Sequence, residues 1–174
     1  MNERRRILYH GGVVDLGLET ARLPGGRDIS LEIVRHRGGS SAAAVDDQQR
    51  VCLLRQYRHA AGDWIWELPA GKPDDGEAAL CTAQRELEEE AGVRATDWQT
   101  LGDILTTPGF CDEVIQLFLA RRLQLVAPRP EAYELIERHW ITWSTAQQWA
   151  LDGTLRDTKT VIGLLRAASL LALE

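Results

Sequence analysis

The sequence predicts an α/β domain with mixed strands over residues 39–174, preceded by a small antiparallel β unit over residues 1–38. Three observations carry this. Strand-like alternation recurs on both sides of one strongly marked helix ending at Gly92, a Leu23-Pro24-Gly25-Gly26 turn joins two extended runs near the start, and Gly38-Gly39 breaks the chain between the two parts. With 174 residues, 44% hydrophobic and 26% charged, one domain with a substantial core is the default.

Taken in order, Ile7 to Arg37 reads as a hairpin around that Pro-Gly turn, with Leu31, Ile33 and Arg35 alternating against Glu32, Val34 and His36. Two strands follow, Ser41–Val45 and Arg50–Arg58, split by the polar turn 46–49. The second is apolar on both faces at its start, as a central strand is, and turns basic at its end. Arginine suits bidentate phosphate contact, so Arg55 and Arg58 are candidate diphosphate ligands, the alternative being a solvated strand end. Trp64 and Trp66 read as sheet packing in preference to nucleobase stacking.

The helix has a capping signal at Asp74 and Glu77 and a stop at Gly92. At 100° per residue Leu80, Ala83, Leu87 and Ala91 form one stripe, and Glu86, Glu89 and Glu90 gather on a neighbouring arc. An acidic arc is ordinarily a solvated face, and Arg85 can pair with Glu89 one turn on. Yet Glu86 and Glu90 are like charges four residues apart, a mildly destabilising arrangement unless a cation sits there. Carboxylates converging from one turn suit a hard divalent ion such as Mg²⁺.

Beyond the helix, Trp98–Thr106 and Glu113–Ala120 read as strands around the loop 107–112, Thr-Pro-Gly-Phe-Cys-Asp. A polar loop from Pro128 to Glu137, a strand His139–Trp143, a short helix capped by Ser144 and a last helix from about Thr158 to Leu173 complete the chain.

Net charge is −6, so no basic field draws in nucleic acid, and an anionic substrate must be met by local arginines and metal. Cys52, Cys81 and Cys111 are scattered and odd in number, which fits a reducing cytoplasm and neither a disulfide framework nor a zinc site. No apolar stretch approaches the roughly 18 residues a membrane span needs, and no secretion signal is expected. His10, His36, His59 and His139 flank no nucleophile and read as structural.

The full spacing Gly71-x5-Glu77-x7-Arg85-Glu86-Leu87-x-Glu89-Glu90-x-Gly92-Val93 resembles the Nudix hydrolase signature at every specified position. At background usage of about 5–7% per residue type, seven fixed identities coincide by chance on the order of once in 10⁹ placements. TPGFCDEVIQLFLA, starting at Thr107, resembles the segment marking the ADP-ribose pyrophosphatase branch, where a proline, here Pro108, follows the signature at this distance. LRQYR (54–58), WELPAGK (66–72) and DGTLRDTKTVIGLL (152–165) are similar to that branch as well. Residues 1–35 match only in general pattern.

The resemblance implies an α/β/α Nudix sandwich hydrolysing the diphosphate of ADP-ribose to AMP and ribose 5-phosphate. A nucleotide-sugar pyrophosphatase acting on ADP-glucose or GDP-mannose is the alternative, and a non-catalytic ligand-binding regulator a remote one. It implies Mg²⁺, with Mn²⁺ as a substitute, on Glu86, Glu89, Glu90 and the Ala70 carbonyl, with Arg85 orienting a metal-binding glutamate and Glu77 structural. Glu113 is the expected general base, with Glu89 its rival. Cys111 stands where Ser or Thr is expected in that branch. The implied assembly is a homodimer in which the N-terminal unit reaches across to the partner and contacts the nucleoside, with Glu32 and Arg35 as candidates.

Overall fold

The computed structural model describes residues 4–129 and 135–171. Part of the predicted 128–137 loop, residues 130–134, and the end of the predicted last helix lie outside them. The chain forms two units, Met1–Gly38 with Leu105–Val114, and Gly39–Ile104 with Ile115–Glu174.

The first unit is a meander of β1 (Arg4–His10), β2 (Val14–Arg22) and β3 (Asp28–His36), paired antiparallel in that order. The turn at Leu23–Gly26 forms as the sequence predicts, closed by Gly26 N–H to Leu23 O with Gly26 at φ 82°. The predicted single hairpin is corrected to three strands, because Gly11-Gly12 makes a second turn in which Gly11 N–H donates to Val14 O. Register runs unbroken from Val14 opposite His36 to Arg22 opposite Asp28. Glu19 is buried between two cations, accepting from Arg5 Nη1 at 2.8 Å and from Arg35 Nε at 2.9 Å and Nη2 at 2.5 Å. The 105–114 segment belongs to this unit because Val34 N–H donates to Phe110 O and Asp112 N–H to Val34 O.

In the second unit β4 (Gly39–Ala44) lies parallel to β9 (Val114–Leu125) and antiparallel to β7 (Ala70–Gly71), with β8 (Val93–Leu105) at the other edge. A second sheet pairs β5 (Arg50–Arg58) with β6 (Asp63–Glu67) and β10 (Ile136–Thr142). Period-two alternation divides these strands between two cores. Ala43, Val45, Val51, Leu53, Leu117 and Leu119 pack with Ala146 of α2 (Trp143–Asp152) and with Leu164 and Ala167 of α3 (Thr158–Leu171). Ala42, Ala44, Cys52, Leu54 and Ala120 pack with Leu87 and Ala91 of α1 (Ala79–Ala91). Helices thus cover both faces of mixed strands, the α/β/α arrangement that the family resemblance implies. Each fully buried leucine contributes about 1.5–3 kcal/mol of transfer free energy.

Boundaries move where tertiary contacts outweigh local signals. Ala78, with no side-chain cap, precedes α1, because Glu77 has turned to accept from Asp74 N–H, Thr82 Oγ1 and Arg85. Leu80 is consequently exposed and the buried stripe starts at Ala83. The stop at Gly92 forms as read, at φ 61°, with its N–H donating to Glu88 O. Strand β8 starts at once, at Val93, and β9 continues through the Arg121-Arg122 pair to Leu125. The cap of α2 is Thr142 in place of Ser144, accepting from Thr145 N–H. Asp157 caps α3, its Oδ2 accepting from Thr160 N–H and Oγ1.

Candidate active site

Strand β7 sets the site's floor. Pro69 O accepts from Ala42 N–H and Ser41 Oγ, each at 3.0 Å, and Ala70 pairs with Ser41. Ala70 then donates its N–H to Glu90 Oε2 at 2.8 Å. Glu90 is 94% buried (6% exposed), so this backbone donor offsets part of the desolvation cost of its carboxylate. Gly71 lies under the Glu86 carboxylate, and a Cβ at position 71 would occupy the carboxylate's own space. A side chain at position 71 would therefore displace the Glu86 carboxylate from its place beside Arg85.

Arg85 is the organising cation of α1. Its Nη1 donates to Glu86 Oε1 at 2.7 Å and Glu89 Oε2 at 3.1 Å, while Nε and Nη2 fork onto Glu77 at 3.2 and 3.0 Å and Nη2 reaches Lys72 O. The guanidinium hydrogen-bonded to it holds the Glu77 carboxyl down at about 2, helped by Asp74 N–H and Thr82 against the effect of burial. The carboxylates in turn raise the pKa of Arg85, hydrogen bonding from Glu77 contributing most.

Among the described residues no three His, Cys, Asp or Glu side chains converge on a common point. The carboxylates of Glu86 and Glu89 converge on the Arg85 guanidinium, a cation set among hard oxygen donors. With Glu90 these carboxylates are hard oxygen donors, the chemistry that a divalent ion with retained waters takes.

At the end of β5, Arg58 grips Glu67 through Nε at 2.9 Å and Nη2 at 2.7 Å, and Lys159 Nζ reaches the same carboxylate at 2.8 Å and Asp157 at 3.0 Å. Burial acts to discharge both Glu67 and Lys159. The opposing charges prevail, so Glu67 stays below and Lys159 above its ordinary pKa. Thr160 Oγ1 accepts Leu68 N–H, tying this network to the segment entering β7. Arg55 is exposed, 5.8 Å over the Trp64 ring and 3.9 Å from Glu137. Trp66 packs on Trp149 and His139, as the sheet-packing reading has it.

In the first unit, Arg35 adds to its Glu19 pair a 3.0 Å bond to Asp112 Oδ2, and Asp112 Oδ1 accepts His36 N–H at 2.8 Å. Arg35 therefore ties β2, β3 and the 107–113 loop together. Glu32 and Pro108 are exposed. Glu113 Oε2 accepts from Thr106 Oγ1 at 2.8 Å and Oε1 lies 3.1 Å from His36 Nδ1.

A family model of the NUDIX domain matches residues 35–161. The chain belongs to the Nudix family. Its Nudix match spans both the loop–helix 71–93 and the strands that support it. The chain is 38% identical to an ADP-ribose pyrophosphatase of Mycobacterium tuberculosis over 91% of this chain and 78% of that protein. It is 35% identical to a methanol dehydrogenase activator of Bacillus methanolicus and 34% identical to an ADP-ribose pyrophosphatase of Bacillus subtilis, each over 90% of this chain and 86% of the relative. Sequence reasoning about this Nudix chain did not find His36, Thr106, Glu67, Asp157 or Lys159. His36 and Lys159 meet partners far along the chain, whereas Thr106 meets Glu113 seven residues on and Glu67 meets Arg58 nine residues back.

Proposed function

We propose that the protein hydrolyses ADP-ribose to AMP and ribose 5-phosphate, with Mg²⁺, or Mn²⁺ in its place, held by Glu86, Glu89, Glu90 and the Ala70 carbonyl. The observation that carries the metal assignment is the gathering of Glu86 and Glu89 on the Arg85 guanidinium beside the Ala70–Glu90 bond. The likeness to ADP-ribose pyrophosphatases over about nine-tenths of the chain supports the substrate. When bound, a divalent ion neutralises the diphosphate and acidifies water.

The chain's own residues supply the rest. Glu113 accepts the proton of the attacking water, Arg85 orients Glu86 and Glu89, and Arg58, held by Glu67, meets phosphate charge with its exposed edge, 42% of the side chain. Three unpaired cysteines support a reducing, cytoplasmic setting, and no helix among the described residues is long and apolar enough to cross a membrane. A net charge of −6 supports a small nucleotide substrate over nucleic acid. The test is kcat/KM over ADP-ribose, ADP-glucose, GDP-mannose, NADH, Ap4A and 8-oxo-dGTP in Mg²⁺. ADP-ribose ranks first; a nucleotide sugar ahead by about tenfold, some 1.4 kcal/mol in transition-state binding, overturns the assignment.

A further inference from the structure

We propose that His36 is a positioning residue for Glu113, donating from Nδ1 to Oε1 so that it and Thr106 together hold both oxygens of the carboxylate. The inference rests on the reading of Glu113 as the general base. The sequence treats His36 as a structural histidine at the end of β3, and the structure gives it a specific partner. Its Nδ1 lies 3.1 Å from Glu113 Oε1, with the side chains only 12% and 26% exposed. Thr106 Oγ1 engages the other oxygen at 2.8 Å.

The backbone N–H of Gly38 donates towards the same Nδ1 at 3.0 Å. One ring nitrogen carries either a proton or a lone pair, so these two contacts exclude each other as hydrogen bonds. With a lone pair at Nδ1, Gly38 N–H is satisfied and the Glu113 carboxylate faces a second acceptor. With a proton at Nδ1, the imidazole donates to the carboxylate. A hydrogen bond to an ionised carboxylate is worth about 1.5–3 kcal/mol, comparable to the about 1–3 kcal/mol that leaving the buried Gly38 N–H without an acceptor costs, so the two tautomers compete and the negative charge of Glu113 favours the one protonated at Nδ1.

The geometry of both partners is fixed. The His36 backbone N–H is held by Asp112 Oδ1, and Gly38, at φ 79°, lies so close to Val114 O that a Cβ there would approach it to 2.6 Å. Arg35 and Arg37 flank His36 in sequence, Val14 is its partner on β2, and the charged groups that contact it are Asp112, at the backbone N–H, and Glu113, at the ring. A carboxylate held at both oxygens loses less freedom when it takes a proton in a fixed direction, which is the requirement on a general base.

The experiment compares His36→Leu and His36→Asn, alone and in the Glu113→Gln background, with ADP-ribose as substrate. His36→Leu removes the donor; the Asn amide places one near the Nδ1 position. Leu should lower kcat by about ten- to a hundredfold with KM within a few-fold and move the acid limb of the kcat–pH profile. Asn should recover most of the loss. Neither should lower activity further once Glu113 is Gln. Independently of turnover, ¹⁵N NMR of the ring should show Nδ1 protonated at pH 7 in the wild type and altered in Glu113→Gln. An unprotonated Nδ1, a Leu variant within twofold of wild-type kcat, equal losses for Leu and Asn, or Leu and Gln effects that simply add would each overturn the proposal. Failure of the base assignment is read separately, as a Glu113→Gln enzyme keeping more than about a tenth of kcat, below the usual general-base contribution.

Discussion

Ala70 donates its backbone N–H to Glu90 Oε2 at 2.8 Å, which fixes the loop carbonyl and the last turn of α1 to each other across 20 residues of sequence. Glu90→Gln keeps an acceptor for that N–H and removes only the charge. The variant should fold normally by circular dichroism. Its Mg²⁺-dependent turnover should fall by roughly 10²-fold or more, several kcal/mol of charge stabilisation being at stake. Wild-type turnover in this variant would take Glu90 out of the metal set.

Arg85 holds Glu77, Glu86 and Glu89 with a planar fork that a lysine ammonium lacks. Arg85→Lys should therefore keep the charge and still lose about tenfold or more in kcat, with weaker Mg²⁺ binding by calorimetric titration. An unchanged Mg²⁺ affinity would mean the fork serves the fold alone.

Glu77 has a folded-state pKa of about 2 against 4.5 unfolded. A depressed carboxylate stabilises the fold fully above the unfolded value and loses that contribution as pH falls towards the folded one. The stability gap between wild type and Glu77→Gln, from urea unfolding, should be constant above pH 4.5 and shrink between 4.5 and 2. A gap unchanged at pH 2 would show that hydrogen bonding without charge accounts for it.

Lys159 is buried against Glu67 and Asp157. Breaking a buried pair costs about 3–5 kcal/mol, and because Arg58 still faces Glu67 the lower end is expected for Lys159→Met. That corresponds to a drop in Tm of about 6–12 °C, measurable by calorimetry. No drop would mean that Met packs there as well as the ion pair.

A three-stranded meander with Ile7, Leu8, Tyr9 and Val13 exposed is a small unit for independent stability, and we propose that a second copy covers it. Light scattering at micromolar concentration should give a dimer, and Tyr9→Glu should shift it towards monomer. A wild-type monomer with full activity would refute this.

The parts of the molecule legible in the sequence were those encoded locally. Helix α1, its Gly92 stop and the Glu86–Glu89–Glu90 arc follow from spacing within one element, and the apolar start of β5 on both faces marks a strand that supplies side chains to both cores. The Gly11-Gly12 turn is a local signal as well, a glycine pair between two strand-like runs. What was not legible depends on register between distant segments: Lys159 meets Glu67 across 92 residues and Arg35 meets Asp112 across 77. The Asp74–Glu77 capping signal forms in part, Glu77 accepting Asp74 N–H, but in a turn ahead of α1, whose start shifts to Ala79 as Glu77 also pairs with Arg85 eight residues on.

The first unit is assembled from two separated pieces of chain, and this has a consequence for synthesis on the ribosome. Arg5, Glu19 and Arg35 emerge together and can pair as soon as the meander is made. Asp112 follows Arg35 by 77 residues, roughly 4–15 s later at 5–20 residues per second. Throughout that interval the nascent meander holds a half-finished seat, and the carboxylate of Glu113, which can meet Thr106 as soon as both are made, reaches His36 only when its segment returns to a strand made at the outset.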